Sequence, residues 1–364
     1  MKKIYKKKNC VGLPSLCELE EFSNLLKEAW ASEVLTNNGP LLQKLEKEIC
    51  KSLTIEHYIA VSNGTVALQL AIEALEIKGT ILVPAFSWIA SAAAAGWQKC
   101  KIKYCDIDEK TLNICTNSIE KNIDSTVEAI MPVHVFGNPC NISALNIIAK
   151  KYNLKLIYDA AHAFGTTLNG RSILSYGDIS CVSTHATKIF NTAEGGGVIS
   201  TSKIINEKIK SLRFFGFDEN KNLVRAGINA KMSEIHAALG LANLKHFVKT
   251  INHRRKINDV YRNQLLKNRN ISLQEINEGS NCSYFPIILD SESTCIKIIK
   301  LLTSHNILPK RYFYPSLNKI GNIFSNEKCP VSDSISERII CLPSHNNVST
   351  EDAVYISDLI CKSN

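Results

Sequence analysis

The chain has 364 residues, 45% of them apolar and 21% charged, with a formal net charge of +9. That length can bury a large core and divide it between two lobes, and the composition is that of an ordinary globular protein. No apolar run approaches the roughly 20 residues that a membrane-spanning helix needs, and the basic start (Met1, Lys2, Lys3, then Lys6, Lys7 and Lys8) runs into Asn9 and Pro14 instead of an apolar signal core, so a cytoplasmic protein without membrane contact is expected.

In chain order, residues 18–32 and 41–53 carry the spacing of amphipathic helices, separated by the concentrated turn signal Thr36-Asn37-Asn38-Gly39-Pro40. A short strand at 57–61 leads into Ser62-Asn63-Gly64-Thr65. Beyond it Val66, Leu70, Ala71, Ala74 and Leu75 recur at helical spacing. Strand and helix then alternate, with strand 80–83, helix 87–96, strands 101–105 and 128–132, helix 143–151 and strand 155–158. Such alternation predicts a mostly parallel sheet with helices on both faces. Past Lys188 come a strand at 197–200, a loop holding Arg213 and Gly216, and a long helical region at 232–248. From about residue 253 the pattern changes to helix 256–267, strand 284–289, helix 293–305, strand 338–342 and a last helix from Glu351. The expected division is a large α/β domain over 1–248, including an N-terminal arm, and a small C-terminal α+β domain over 249–364.

Thirteen cysteines include no C-x-x-C pair, and nine histidines show no i,i+4 pairing. Reduced, mostly buried thiols and no metal site are expected. The basic residues are dispersed, apart from the first lysines and the stretch from His253 to Lys256. This reads as a solvated surface and a mobile arm, not a nucleic-acid interface, and a positive balance also suits an anionic substrate.

Three stretches and one aromatic residue carry chemistry. Ser62-Asn63-Gly64-Thr65, at a strand-to-helix junction, offers free N–H groups that favour a phosphate, and glycine allows close approach; a plain helix cap has the same sequence. The apolar strand 155–158 ends at Asp159-Ala160-Ala161-His162, and ligands of open α/β sheets gather at the carboxyl ends of strands. A carboxylate there can keep a cofactor's pyridine nitrogen protonated, with His162 on the same side if a helical turn begins. A capping Asp and a satisfied core His would look alike. Ser183-Thr184-His185-Ala186-Thr187-Lys188 is trailed by Glu194-Gly195-Gly196-Gly197. An imine-forming lysine must be neutral part of the time, which a partly buried setting provides, and Lys188 is flanked by Ala186, Ile189 and Phe190. Ser183 could donate to a phosphate, while the glycines match neither nucleotide-loop pattern and read as a turn. Trp88, just past a strand end, offers a flat face to an aromatic ring or to the core.

Together and in this order, these pieces resemble the sugar aminotransferases of the DegT/DnrJ/EryC1/StrS family, from Leu35-Thr36-Asn37-Asn38-Gly39-Pro40 to Cys341-Leu342-Pro343. The most specific stretches are Tyr158-Asp159-Ala160-Ala161-His162-Ala163, Ser183 through Lys188 with Glu194-Gly195-Gly196, and Gly227-Ile228-Asn229-Ala230-Lys231-Met232. The resemblance implies a fold-type I aminotransferase that uses pyridoxal 5'-phosphate (PLP). Lys188 would form the Schiff base and shuttle the proton, Asp159 would pair with the pyridine nitrogen, and His162, where many relatives have Gln, would bond the ring oxygen. Trp88 would stack on the ring, and Gly64, Thr65 and Ser183 would hold the phosphate. Asn229 would reach that phosphate across a dimer interface, implying a homodimer with composite sites. Lysine at 188 points away from the dehydrating branch, which has histidine there.

The 36–40 turn, Pro132-Val133-His134-Val135-Phe136-Gly137-Asn138-Pro139-Cys140 and Arg311-Tyr312-Phe313-Tyr314-Pro315 look most similar to one subgroup. Its members make dTDP-4-amino-4,6-dideoxyglucose from dTDP-4-keto-6-deoxyglucose with L-glutamate as donor, a step toward O-antigen or other surface glycans. Lys231, Arg311, Tyr312 and Tyr314 are candidate substrate contacts, and equally candidate surface or interface residues. The competing readings are a 3-aminotransferase acting on a dTDP-3-keto-6-deoxyhexose and a non-catalytic PLP-binding regulator. A regulator would be expected to carry an added DNA-binding domain, for which the chain has no room. A dinucleotide oxidoreductase is disfavoured by the missing glycine fingerprint.

Overall fold

The computed structural model describes residues 9–321, 325 and 327–363; the lysine-rich start, expected as a solvated arm, lies outside them. The central sheet is built from β1 (Ile59–Val61), β2 (Thr80–Pro84), β3 (Lys101–Cys105), β4 (Val127–Ile130), β5 (Lys155–Asp159), β6 (Ile179–Ser183) and β7 (Gly196–Ile199). Their order is β1-β7-β6-β5-β4-β2-β3. Strands β2 to β6 pair in parallel, and β7 is antiparallel to both its neighbours.

A parallel sheet covered on both faces needs apolar side chains in both directions. All five residues of β2 are buried, with Leu82 in the core beneath Leu42, Leu45 and Ile49 while Ile81 and Val83 join Ile72 and Ala95 on the other face. Because β7 runs backwards, its first residue Gly196 pairs with Val61 and Ser183, the last residues of β1 and β6. The loops after β1, β2, β4, β5 and β6 and the loop before β7 therefore meet along one sheet edge. The glycine run, read as a turn, enters this strand instead. The reason is close packing: a Cβ at Gly197 would lie 2.2 Å from the Tyr58 ring.

The C-terminal part has its own antiparallel sheet of Ile271–Leu273, Phe285–Leu289 and Ile339–Leu342. Tyr261, Leu265, Phe285, Leu302 and Ile356 form a core between it and the helices Phe247–Leu265, Glu292–Ser304 and Thr350–Cys361. Several contacts tie it to the rest, among them hydrogen bonds from Asn281 to the His162 and Phe164 carbonyls and from the Ser332 N–H to Asp106. Asn9–Cys10 adds a parallel strand to Ile307–Leu308, and Leu317 and Cys329 pack into the core of the large sheet. Residue 249, where the second domain was expected to begin, lies in the first turn of Phe247–Leu265. That helix is one element where the sequence pattern suggests a break. Its buried side is half polar (Thr250, Arg254, Asn258), which hides the apolar stripe. Arg254, 2% exposed, donates to the Ser283 carbonyl at 2.7 Å. The helices Lys203–Arg213 and Pro330–Arg338 were also unforeseen. All thirteen cysteines are free, and among the described residues no helix is long and apolar enough to cross a membrane.

Glu234 fixes the approach of the first helices to this frame. It is fully buried at the start of the helix Glu234–Leu244, and its carboxylate accepts the backbone N–H groups of Leu41 (2.7 Å) and Leu42 (2.9 Å). These are orphan donors at the start of Pro40–Leu53, where Gly39 in the capping position has no side chain to accept them. Glu234→Ala is expected to lower unfolding free energy by about 1–3 kcal/mol, read as a lower urea midpoint with an unchanged slope.

Candidate active site

The sheet edge opens into a cavity of about 700 Å³. Asp159, the last residue of β5, lines it at 6% exposure. One carboxylate oxygen accepts the Ala161 N–H (3.0 Å), and the other accepts the Ser91 hydroxyl (2.7 Å), itself 2.9 Å from that of Ser87. Among the described residues no cation lies within ion-pair distance of it. Burial raises its pKa, opposed by the two hydrogen bonds and by the charge of Lys188.

Lys188 lines the same cavity. Its loop is closed by backbone bonds from Thr184 to Gly195, Ala186 to Ala193 and Thr192 to Thr184, and anchored by buried Ile189 and Phe190. Phe190 stacks on Phe164 with ring centroids 4.3 Å apart. Desolvation brings the Lys188 amine down to about 8, against the pull of Asp159, and Lys310 pushes the same way as desolvation.

His162 follows Asp159 on the cavity wall. Its Nδ1 accepts the Phe136 N–H at 3.2 Å, so the neutral ring carries its proton on Nε2. Burial, and secondarily Lys188, holds its pKa well below the usual histidine range. Phe136 and Phe313 lie nearly parallel to the imidazole, at 6° and 12°. The ring is thereby held as a neutral donor.

Gly64 begins the helix Gly64–Ala74, whose cap Asn63 accepts the Val66 N–H at 2.9 Å. The N–H groups of Gly64 and Thr65 have no acceptor within the helix. A Cβ at Gly64 would come 2.8 Å from the Ser183 Cβ, so glycine is what lets the helix start approach the end of β6. Gly64, Thr65 and Ser183 thus share one corner of the cavity. Trp88, 55% exposed, stands on the rim with its ring edge-on to Tyr312, which also lines the cavity.

Gly64, Thr65, Trp88, Asp159, His162, Ser183, Lys188 and Tyr312 are therefore brought together, whereas Asn229, Lys231, Arg311 and Tyr314 do not line this cavity. Asn229 is exposed on a loop whose backbone bridges to Phe214, and the Lys231 ammonium lies over the rings of Phe214 (4.7 Å) and Phe215 (4.3 Å). Arg311 is committed elsewhere. It pairs with Glu292 (2.8 Å), donates to the carbonyls of Ser336 and Glu337 at the end of Pro330–Arg338, and covers the Tyr314 ring at 3.4 Å. Sequence reasoning missed Ser91, Lys310 and Phe313. Ser91 carried a signal, standing one helical turn beyond Ser87 and Trp88; Lys310 and Phe313 were obscured by their neighbours.

The site fits PLP on its own terms. A buried carboxylate lacking a counter-cation suits a protonated ring nitrogen, a fixed neutral N–H suits a ring oxygen, and free helix-start N–H groups beside a serine hydroxyl suit a phosphate. The amine that would bind it lines the same space. This fold and site define a PLP-dependent aminotransferase of fold type I.

Residues 16–360 match the model of the DegT/DnrJ/EryC1/StrS aminotransferase family, and the chain belongs to that family. It is 41% identical over 360 residues to a dTDP-4-amino-4,6-dideoxy-D-glucose transaminase of Shigella dysenteriae, covering 96% of this chain and 97% of that one. It is 36% identical, with the same coverage, to a protein of the same name from Escherichia coli. Among solved structures, DesI in the presence of its TDP-sugar product is similar with a TM-score of 0.93 at 27% identity, covering 99% of this chain and 94% of that one. NtdA of Bacillus subtilis with bound cofactor PMP is similar with a TM-score of 0.87 at 25% identity, covering 95% and 82%.

With its amine near 8, Lys188 is about 10% neutral at pH 7, against about 0.03% for an ordinary lysine. In the cofactor-free protein its acylation rate is expected to climb about tenfold per pH unit and level off above pH 8, while exposed lysines keep climbing past pH 10. Peptide mass spectrometry after brief labelling would show this, and a Lys188 profile like that of the surface lysines would contradict the assignment.

Proposed function

We propose that this chain converts dTDP-4-keto-6-deoxyglucose to dTDP-4-amino-4,6-dideoxyglucose with L-glutamate as amino donor. We further propose that it does so as a cytoplasmic homodimer supplying O-antigen or other lipopolysaccharide or surface-glycan assembly. The observation that carries the chemistry is the shared cavity of Asp159 and Lys188, an unpaired buried carboxylate and a lysine poised to lose its proton. Support for the substrate comes from the two transaminase relatives aligned along nearly the whole chain.

When bound, PLP supplies an electron sink for the pair left behind as a proton leaves the carbon bearing nitrogen. Asp159 would keep the ring nitrogen protonated, which deepens that sink, and His162 would donate from Nε2 to the ring oxygen. The N–H groups of Gly64 and Thr65 and the Ser183 hydroxyl would hold the phosphate, and Trp88 would stack on the ring. The Lys188 Nζ would hold the cofactor at rest and, as a free amine, would take and return the proton that leaves the amino-acid carbon. In the keto-sugar half it would serve the same role in the reverse sense. An amine near 8 is matched to a base that must take and give a proton near neutrality.

Support for the dimer comes from exposed apolar side chains. Val34 and Leu35 connect to the start of Glu234–Leu244 through the Glu234 N–H to Leu35 carbonyl bond, while Phe215, Leu223, Val224 and Ile228 project from the loop that carries Asn229. On this reading Asn229 reaches the phosphate in the neighbouring protomer's site, with Lys231 on the same loop near the sugar.

Lys188→Ala is expected to lose the near-visible absorbance and all 2-oxoglutarate release while light scattering still reports a dimer. NMR of the wild-type product should place the amine on C4; an amine on C3 would favour the 3-aminotransferase reading. Composite sites have their own signature. Lys188→Ala and Asn229→Asp, each inactive alone, should regain activity when co-expressed, since a mixed dimer has one site with both residues intact. No recovery would argue against sharing across the interface.

A further inference from the structure

One cation in the cavity has no part in the chemistry above. Among the described residues that line the cavity, only Lys188 and Lys310 are lysine or arginine. Lys310 has no ion-pair partner among the described residues. Its ammonium rests on aromatic faces, 4.6 Å from the Tyr312 centroid and 5.9 Å from that of Trp88. The backbone beneath it is fixed, because Lys310 and Cys341 exchange N–H···O bonds of 3.2 and 2.8 Å. Glu194, which pairs at 3.7 Å with His185, also lines the cavity, so the lining carries charge of both signs.

Resting on the proposed function, we propose that Lys310 recognises the α-carboxylate of the amino donor, so that the site selects an amino acid over an uncharged amine. The argument is one of placement. Lys310 and Lys188 line the same cavity, and the charge of Lys310 lowers the proton affinity of Lys188. The carbon that gives up its proton to Lys188 is bonded directly to the donor's carboxylate, which puts that anion close to the lysine. In the keto-sugar the diphosphate hangs from the anomeric carbon, across the ring from the 4-keto carbon. A cation in the same cavity as Lys188, fixed by its aromatic neighbours, suits the carboxylate.

The pairing also changes the base. With no anion on it, the Lys310 ammonium favours the neutral amine of Lys188. Once a carboxylate offsets that charge, Lys188 holds a proton more firmly, at the stage when it must take one from the donor carbon. Donor binding and proton acceptance are coupled through one side chain.

The test uses holoenzyme carrying Lys310→Gln or Lys310→Arg, with each half-reaction followed by stopped-flow absorbance. Lys310→Gln should raise the glutamate concentration for half-maximal rate by about tenfold or more and change that for the keto-sugar by less than about threefold. Lys310→Arg should restore most of the loss. Calorimetry with glutarate, which has the carboxylates but no amine, should show an affinity loss of similar size in Lys310→Gln. Unchanged glutamate and glutarate binding, or an equal loss for the keto-sugar, would overturn the proposal. If the wild-type protein released no 2-oxoglutarate, the functional reading would fall, and the glutarate titration would still decide whether Lys310 binds a carboxylate.

Discussion

The site depends on the electrostatic tension between Asp159 and Lys188. A carboxylate buried with hydrogen bonds but no counter-cation is costly, and an ammonium in the same dry cavity is costly too. They are near enough for each to favour the other's charged form, yet burial outweighs that attraction on both sides. The carboxylate is left suited to a new cation, and the lysine is left able to shed its proton. An exposed pair would show neither property, because water would hold both groups ionised.

The sheet delivers this arrangement. Asp159 and Ser183 end neighbouring strands, and reversed β7 brings the loop of Glu194 to the same edge. The second tier of contacts is long-range as well. Ser91 orients the carboxylate from the helix after β2, while the Phe136 N–H fixes the proton on the imidazole of His162. The supports themselves are a hydroxyl and a backbone N–H, uncharged groups that orient their partners without adding charge to the cavity.

Much of this was legible in the sequence, and the exceptions have physical causes. The alternation of strand and helix was plain because parallel strands are apolar on both faces, as β2 and β5 are. Asp159 and Lys188 stood out as charges attached to apolar runs. Ser91 and Lys310 did not, since their importance lies in partners far off in sequence; the Ser91–Asp159 bond spans 68 residues. Arg311 misled for the converse reason. A basic residue in an aromatic motif resembles an anion contact, and only the fold reveals that Glu292 and two helix-end carbonyls already engage it. The helix Phe247–Leu265 was divided in two by its buried Arg254, a residue type that periodicity counts as surface.

The small parallel ladder between Asn9–Cys10 and Ile307–Leu308 joins points about 300 residues apart, and the buried Asn9 amide also meets His345 Nε2 at 2.7 Å. Asn9 and Cys10 can therefore find their strand partner only after about 300 further residues have been made. The stretch they clasp runs directly into Lys310, so a seam of very long sequence separation borders the mouth of the reaction chamber.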